Sequence, residues 1–342
     1  MTNDPGALVA AVFRQYASEY RPRQIHELLE TGGFSGARLW KVSTDAGLLC
    51  LRRWPTGQPD EQRLKFIHAV LKHVERNGFK HLPVPFSDQE NNSFVVLRGA
   101  YWELTRWLPG VASYQVQPQR EKLVHAFEAL AHFHRASATF PDCPAEPKVS
   151  PGIQQRGNQL RELQAGGLEK IASSLQRAED PVRRRGIRLL ELFRSVSPDV
   201  AMRLAAAQQR PVRLQPCIRD IWHDHVLFTG VYVSGLIDFG AMRIDTVAGD
   251  VSRLLGSLAG DRPPERITAI EAYESLAPLN EHERALVEVF DQSSVLLSGM
   301  NWLQWICVEG KRFTEFQRVL TRLDEIINRL ETANRTGGQI SR

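Results

Sequence analysis

Long apolar runs are missing from this chain of 342 residues. No stretch reaches the roughly 20 residues that a membrane-spanning helix needs. The N-terminus has no basic-then-apolar leader. Cysteine is scarce: Cys50, Cys143, Cys217 and Cys307 lie far apart and share no metal-ligand spacing. Four scattered thiols in a chain this long suit a reducing compartment, and together these absences give the expectation of a soluble, cytoplasmic protein with no membrane partner. Charge of one sign is lacking too. The net charge is +4 with a pI near 8.9, and no basic run alternates with aromatics, so a nucleic-acid partner is not expected. What remains is ordinary, 42% hydrophobic and 24% charged, at a length that favours two lobes over one.

Against that plain background, residues 214–240 stand out: LQPCIRDIWHDHVLFTGVYVSGLIDFG. Two β-branched apolar runs, 226–228 and 231–237, flank Thr229-Gly230 and read as a short hairpin. Asp220 precedes the hairpin and Asp238 follows its second strand. A hairpin this short folds its two ends back to one place, so the carboxylates become neighbours. Phosphoryl transfer uses such a pair, one to orient or deprotonate the attacking hydroxyl and one to hold a metal against nucleotide phosphates.

The same residues resemble a known pattern. Ile218-Arg219-Asp220 with His225 five positions on is similar to a kinase catalytic loop, and Asp238-Phe239-Gly240 to the metal-binding D-F-G. The short spacing, with Asp250 placed to open the next helix, resembles the aminoglycoside phosphotransferase and type II homoserine kinase superfamily of small-molecule kinases. That resemblance implies a two-lobed, protein-kinase-like α+β fold, with a β-rich nucleotide-binding lobe over residues 1–110 and a helical catalytic lobe over 111–342. It implies ATP and Mg²⁺ as cofactors and a small-molecule acceptor as substrate, with Asp220 catalytic and Asp238 on the metal. The pattern is altered in places. Ile218-Arg219 stands where the family has His-Gly, and His225 where it has an Asn that helps bind metal. Magnesium prefers oxygen, so Asp224 is a candidate substitute ligand; ligation by His223 and His225 would favour a softer ion such as Mn²⁺. Two readings follow, an active kinase with changed metal use or a nucleotide-binding pseudokinase without turnover.

The N-terminal third supplies the nucleotide side of this expectation. Leu8, Val9, Val12 and Phe13 predict one helix, and Ile25, Leu28 and Leu29 a second. Gly32, Gly33, Ser35 and Gly36 then form a small-residue loop able to lie close over phosphates and donate backbone N–H groups. In the strand at 47–54, Arg52 takes the place of the phosphate-binding lysine that the resemblance implies, and alternation points Arg53 the other way. The helix at 60–77 has the apolar stripe Leu64, Ile67, Val70, Leu71 and Val74. It carries Ile67 or His68 where kinases place the Glu that pairs with the strand cation. Runs at 93–98 and 101–108 predict a hairpin turning at Gly99-Ala100. The second run is expected to be an edge strand leading to a hinge, with main-chain groups of Leu104, Thr105 and Arg106 contacting adenine.

The remainder reads as helical. Leu123, Phe127, Leu130 and His134 share a face at 120–136, which makes His134 a core residue. The insertion at 141–213 carries Arg183, Arg184, Arg185 and Arg188, read as a solvated helix face. Acidic residues outnumber basic ones over 261–291, which would suit a cationic acceptor such as an amine. Trp302 and Trp305 with Phe313 read as packing of the final helices.

Overall fold

The computed structural model describes residues 5–28, 36–313 and 316–340. The chain divides into two compact units, one of residues 1–141, 218–243 and 268–277, the other of 142–217, 244–267 and 278–342. No described helix is long and apolar enough to cross a membrane.

In the first unit an antiparallel sheet contains β1 (Gln24–Leu28), β2 (Arg38–Thr44), β3 (Gly47–Arg53), β4 (Val95–Leu97) and β5 (Ala100–Arg106). Their spatial order is β1-β2-β3-β5-β4. Alternation gives the sheet two different faces. One presents Trp40, Val42, Leu49, Leu51, Trp102 and Leu104 to Val9, Val12 and Phe13 of helix α1 (Pro5–Phe13). Each such buried side chain contributes roughly 1.5–3 kcal/mol, and the rings of Trp40 and Trp102 stack 5.4 Å apart. The other face carries Arg52 and Glu103 and receives helix α2 (Glu61–Arg76). Leu64, Ile67, Val70, Leu71 and Val74 of α2 are buried as the stripe predicts, and His68 is buried with them. The Asp60 side chain caps α2 by accepting from the Arg63 amide at 2.8 Å.

Several expectations shift here. Residues 24–28 form a strand, because Ile25 and Leu28 find ladder partners in Val42 and Leu39, and tertiary pairing outweighs a short helical pattern. The run after Gly99 is an interior strand, since β5 lies between β3 and β4 and β4 takes the edge. The turn itself is Arg98-Gly99, with φ of +52° and +70° and Leu97 facing Ala100. Two left-handed residues match the twist of the flanking strands, which places the turn one residue earlier than expected.

Helix α3 (Arg120–Ser137) buries Leu123, Phe127, Leu130 and His134, whose Nδ1 meets the Tyr273 hydroxyl at 2.7 Å. The hairpin of strands Val226–Thr229 and Tyr232–Leu236 belongs to the same unit, turning at Gly230-Val231. Val111 and Phe228 exchange backbone hydrogen bonds of 3.1 and 2.9 Å. Gly110 permits that approach: its φ is +92°, and a Cβ there would sit 2.6 Å from the Phe228 carbonyl oxygen. The segment after residue 110 is thus tied to the sheet-bearing unit.

The second unit is mainly helical, with Pro151–Glu162, Leu168–Leu175, Asp180–Gln208, Ala248–Leu258, Glu281–Leu303 and Phe316–Ile340. Arg183 and Arg184 pair with Asp180 on their own helix. Arg185 reaches Asp324, and Arg188 reaches Glu331, each at 2.7 Å. Several acids of the 261–291 segment pair in a similar way. Asp261 binds Arg329 at 2.8 Å, and Asp291 binds both Arg329 and Arg266, at 2.9 and 3.1 Å. Glu288 also pairs with Arg266. Asp261, Glu288 and Asp291, three of the acids behind the expectation of an acidic wall for a cationic acceptor, thus already face guanidinium groups.

Candidate active site

Strand alternation sets the cationic side of the site. Arg52 donates from Nη2 to Asp238 Oδ1 at 3.0 Å, and its guanidinium lies 3.9 Å over the Trp54 ring. Arg53 turns to the opposite face, 5.7 Å over Trp102. The two arginines separate as the pattern predicts.

The hairpin supplies the acidic side. The Ile237 amide donates to the His225 carbonyl at 3.0 Å, which closes the hairpin just before Asp238. The His225 ring then links the two loops. The Trp222 indole N–H donates to His225 Nε2 at 2.8 Å, so the ring proton lies on Nδ1, which donates to the Asp220 carbonyl at 2.6 Å. His225 Nε2 is also 3.7 Å from Asp238 Oδ2. The structure therefore brings the Asp220 main chain, His225, Asp238 and Arg52 together, all in the first unit.

Both loops use unusual backbone. Arg219 has a φ of +68° and Asp238 of +61°. The left-handed region costs an L-residue roughly 1–2 kcal/mol, least for Asp and Asn. Burial is the largest influence on the Asp238 carboxyl and raises its pKa. The charge of Arg52, with hydrogen bonds from Arg52 and the Gly240 amide, outweighs it and holds the group below the ordinary carboxylate range. Arg63 anchors the far side of this turn, donating to the Gly240 carbonyl at 2.7 Å. Gly240 packs under Trp54, where a Cβ would come within 3.1 Å of the ring.

The other expected residues are placed as follows. Gly32, Gly33 and Ser35 lie outside the described residues, while Gly36 leads into β2 with a φ of +70°. Leu104 and Thr105 sit inside the sheet opposite Leu51 and Cys50. The Leu104 carbonyl already accepts from the Phe86 amide at 2.8 Å. Asp224 is exposed, 3.4 Å from His223 Nε2. Asp250 is buried in the helix Ala248–Leu258 of the second unit. One pair escaped the sequence reading. Glu103 of β5 is buried opposite Arg52 and accepts from His68 of α2 at 2.7 Å. The β3–β5 register was the missing signal, and it requires a strand order that the sequence does not state.

Comparison with known proteins fits this geometry. The sequence profile of the Phosphotransferase enzyme family matches residues 30–286, more than half of the chain. The chain belongs to the phosphotransferase enzyme family. Solved structures share its fold. An aminoglycoside phosphotransferase from Alicyclobacillus acidocaldarius subsp. acidocaldarius DSM 446 is 17% identical, with a TM-score of 0.65 over 96% of this chain and 95% of that one. A microcompartment-associated aminopropanol kinase is 10% identical, with a TM-score of 0.67 over 96% and 98%. A spectinomycin phosphotransferase solved with ADP and spectinomycin is also 10% identical, with a TM-score of 0.66 over 95% and 97%. At these identities the likeness establishes the kinase-like, two-lobed α+β fold. No curated protein matches the sequence.

The donor set of this phosphotransferase fits a hard divalent cation. Asp238 offers a partly exposed carboxylate kept ionised by its surroundings, and Mg²⁺ characteristically takes one or two carboxylates alongside water and phosphate oxygens. His225 has both ring nitrogens engaged within its own loop, so ligation through Nε2 would break the Trp222 bond.

Proposed function

We propose that this phosphotransferase transfers the γ-phosphoryl group of ATP to a hydroxyl, or less readily an amine, of a small molecule. The observation that carries the reading is that one hairpin brings the Asp220 loop and the Asp238 carboxylate to the two sides of a single ring, His225, whose Nδ1 donates to the Asp220 carbonyl and whose Nε2 lies 3.7 Å from Asp238. Asp220 orients the acceptor hydroxyl and takes its proton. Asp238 holds the divalent ion, Mg²⁺ by the chemistry of its oxygens. That ion supplies, when bound, neutralisation of the charge on the phosphate oxygens. Arg52 holds the phosphates, and the backbone of Gly32, Gly33, Ser35 and Gly36 covers them. Because the main chain of Leu104 and Thr105 is committed to the sheet, the adenine contacts pass to the residues that follow, around Leu108. The nucleotides bound by similar structures, ADP in the spectinomycin phosphotransferase and AMP-PNP in an amicoumacin kinase, support nucleotide use. Arg52 and Asp238 work as one phosphate-facing pair in this reading, and the acceptor is bound by residues beyond it.

The test has two parts. Asp238→Ala should remove the metal-dependent part of ATP binding measured by calorimetry. Asp220→Asn should lower turnover by about 10²–10⁴, the usual contribution of a general base, with ATP affinity unchanged. The acceptor is sought by phosphate-transfer assays over sugars, nucleosides, amino acids and amines. If Asp238→Ala binds metal–ATP as tightly as the parent, the metal assignment is wrong. A parent that binds ATP but phosphorylates nothing would be a pseudokinase.

A further inference from the structure

Arg52 has two acidic neighbours, and only one of them belongs to the reaction as read above. Asp238 is the first. The second is Glu103, which stands directly opposite Arg52 in the β3–β5 ladder and so shares its face. Glu103 is 8% exposed, a depth at which carboxylates are rare unless partnered. Its Oε2 accepts from His68 Nε2 at 2.7 Å, and His68 Nδ1 meets Ser93 Oγ at 2.8 Å. Burial is the largest influence on the Glu103 carboxyl and raises its pKa. The hydrogen bond and charge of His68, together with the Arg52 guanidinium, outweigh it and hold the group below the ordinary range. A fixed anion therefore lies beside the strand cation. Of Ile67 and His68, the two residues expected where the kinase pattern has its acid on α2, His68 is the one that meets Glu103.

We propose that Glu103, braced by His68 and Ser93, is the positioning residue for Arg52, doing from β5 what an acid on the helix does in the kinase pattern. The inference rests on the reading that Arg52 binds nucleotide phosphates while Asp238 binds metal. In the structure Arg52 donates to Asp238 Oδ1, the carboxylate that a divalent ion also needs. When Asp238 turns to the ion, the guanidinium loses that partner, and its Nε is already buried without one among the described residues. Glu103 is the remaining anion beside it. It keeps the guanidinium on the phosphate face, and the five N–H donors of Arg leave some for phosphate oxygens. The helix contributes the imidazole that fixes the acid in place of the acid itself.

A double-mutant cycle on Arg52 and Glu103 tests this, with Mg²⁺–ATP affinity as the readout. Glu103→Gln keeps the shape and can still meet His68, but it removes the charge. Alone it should weaken Mg²⁺–ATP binding about tenfold, the scale of one charge-assisted contact, with a smaller effect on kcat than on KM. In the Arg52→Ala background the same substitution should add nothing, since Glu103 acts through Arg52. Glu103→Asp should recover part of the affinity. Additive losses would overturn the proposal. Should Glu103→Gln fail to fold, His68→Asn, which loosens Glu103 without removing it, replaces it in the cycle with the same expected non-additivity. The cycle is repeated on denaturant midpoints of the nucleotide-free protein. If the parent binds no Mg²⁺–ATP, the nucleotide reading fails. The pairing is then judged on this second cycle, where coupling supports it and additivity overturns it.

Discussion

His225 stands where the family pattern has Asn, and its two hydrogen bonds show what the position must do. Nδ1–H holds the Asp220 carbonyl, and Nε2 faces Trp222 and Asp238. An Asn side chain can donate to the same carbonyl while offering an oxygen in place of a ring nitrogen. His225→Asn should therefore keep the loop and shift metal preference toward Mg²⁺, because hard ions favour oxygen ligands. Mg²⁺ and Mn²⁺ titrations of ATP binding check this, and an unchanged ratio would show that His225 serves only as a brace. The sequence disclosed that a histidine had replaced an amide. Which nitrogen carries the proton became legible only with Trp222 beside it. Arg219 teaches a similar lesson: the family has glycine there, and a φ of +68° explains why, since glycine enters that region without strain.

At the scale of elements, the faces of β3 were readable from alternation alone, but its neighbour in the sheet was not. Strand order depends on pairings between segments some 50 residues apart, such as Arg52 with Glu103, and no local pattern encodes them. The same limit turned residues 24–28 from an expected helix into an edge strand. The β3–β5 pairing has a consequence for stability. Because the folded state holds the Glu103 carboxyl below its ordinary range, the unfolded chain binds more protons there. Its contribution is complete above the ordinary Glu value of about 4.3 and is lost as pH falls through the lower folded value. Glu103→Gln has nothing to titrate at that site. Urea midpoints followed from about pH 7 down to pH 3 should therefore fall less steeply for Glu103→Gln than for the parent, with the curves converging at the acid end. Parallel curves would mean that the folded state does not favour the ionised carboxylate.

At the scale of the whole molecule, the fold class followed from a resemblance, that of the ordered Asp220, Asp238 and Asp250 to the aspartates of a known kinase superfamily. Charge counting along the chain did worse. Residues 261–291 look acidic in isolation, yet Arg329 lies far along the sequence and binds two of those acids. Its fork reaches Asp261 at 2.8 Å and Asp291 at 2.9 Å, while Arg266 holds Asp291 from the other side at 3.1 Å. Asp291 is 8% exposed, so its oxygens rely on these partners for hydrogen bonds, whereas Asp261 is well exposed and is screened by water. Arg329→Ala should then destabilise the chain by roughly 1–3 kcal/mol, short of the full cost of orphaning a buried carboxylate because Arg266 remains. Arg329→Lys should fall between, since a single ammonium keeps the charge but lacks the fork that spans both acids. Asp261→Asn should cost about 0–1 kcal/mol, as an exposed pair does. Denaturant unfolding of the four proteins, parent included, ranks them directly. If Arg329→Ala proved no worse than Asp261→Asn, Arg266 alone would suffice for Asp291, and the reach of Arg329 into the acidic segment would add nothing to the stability of the second unit.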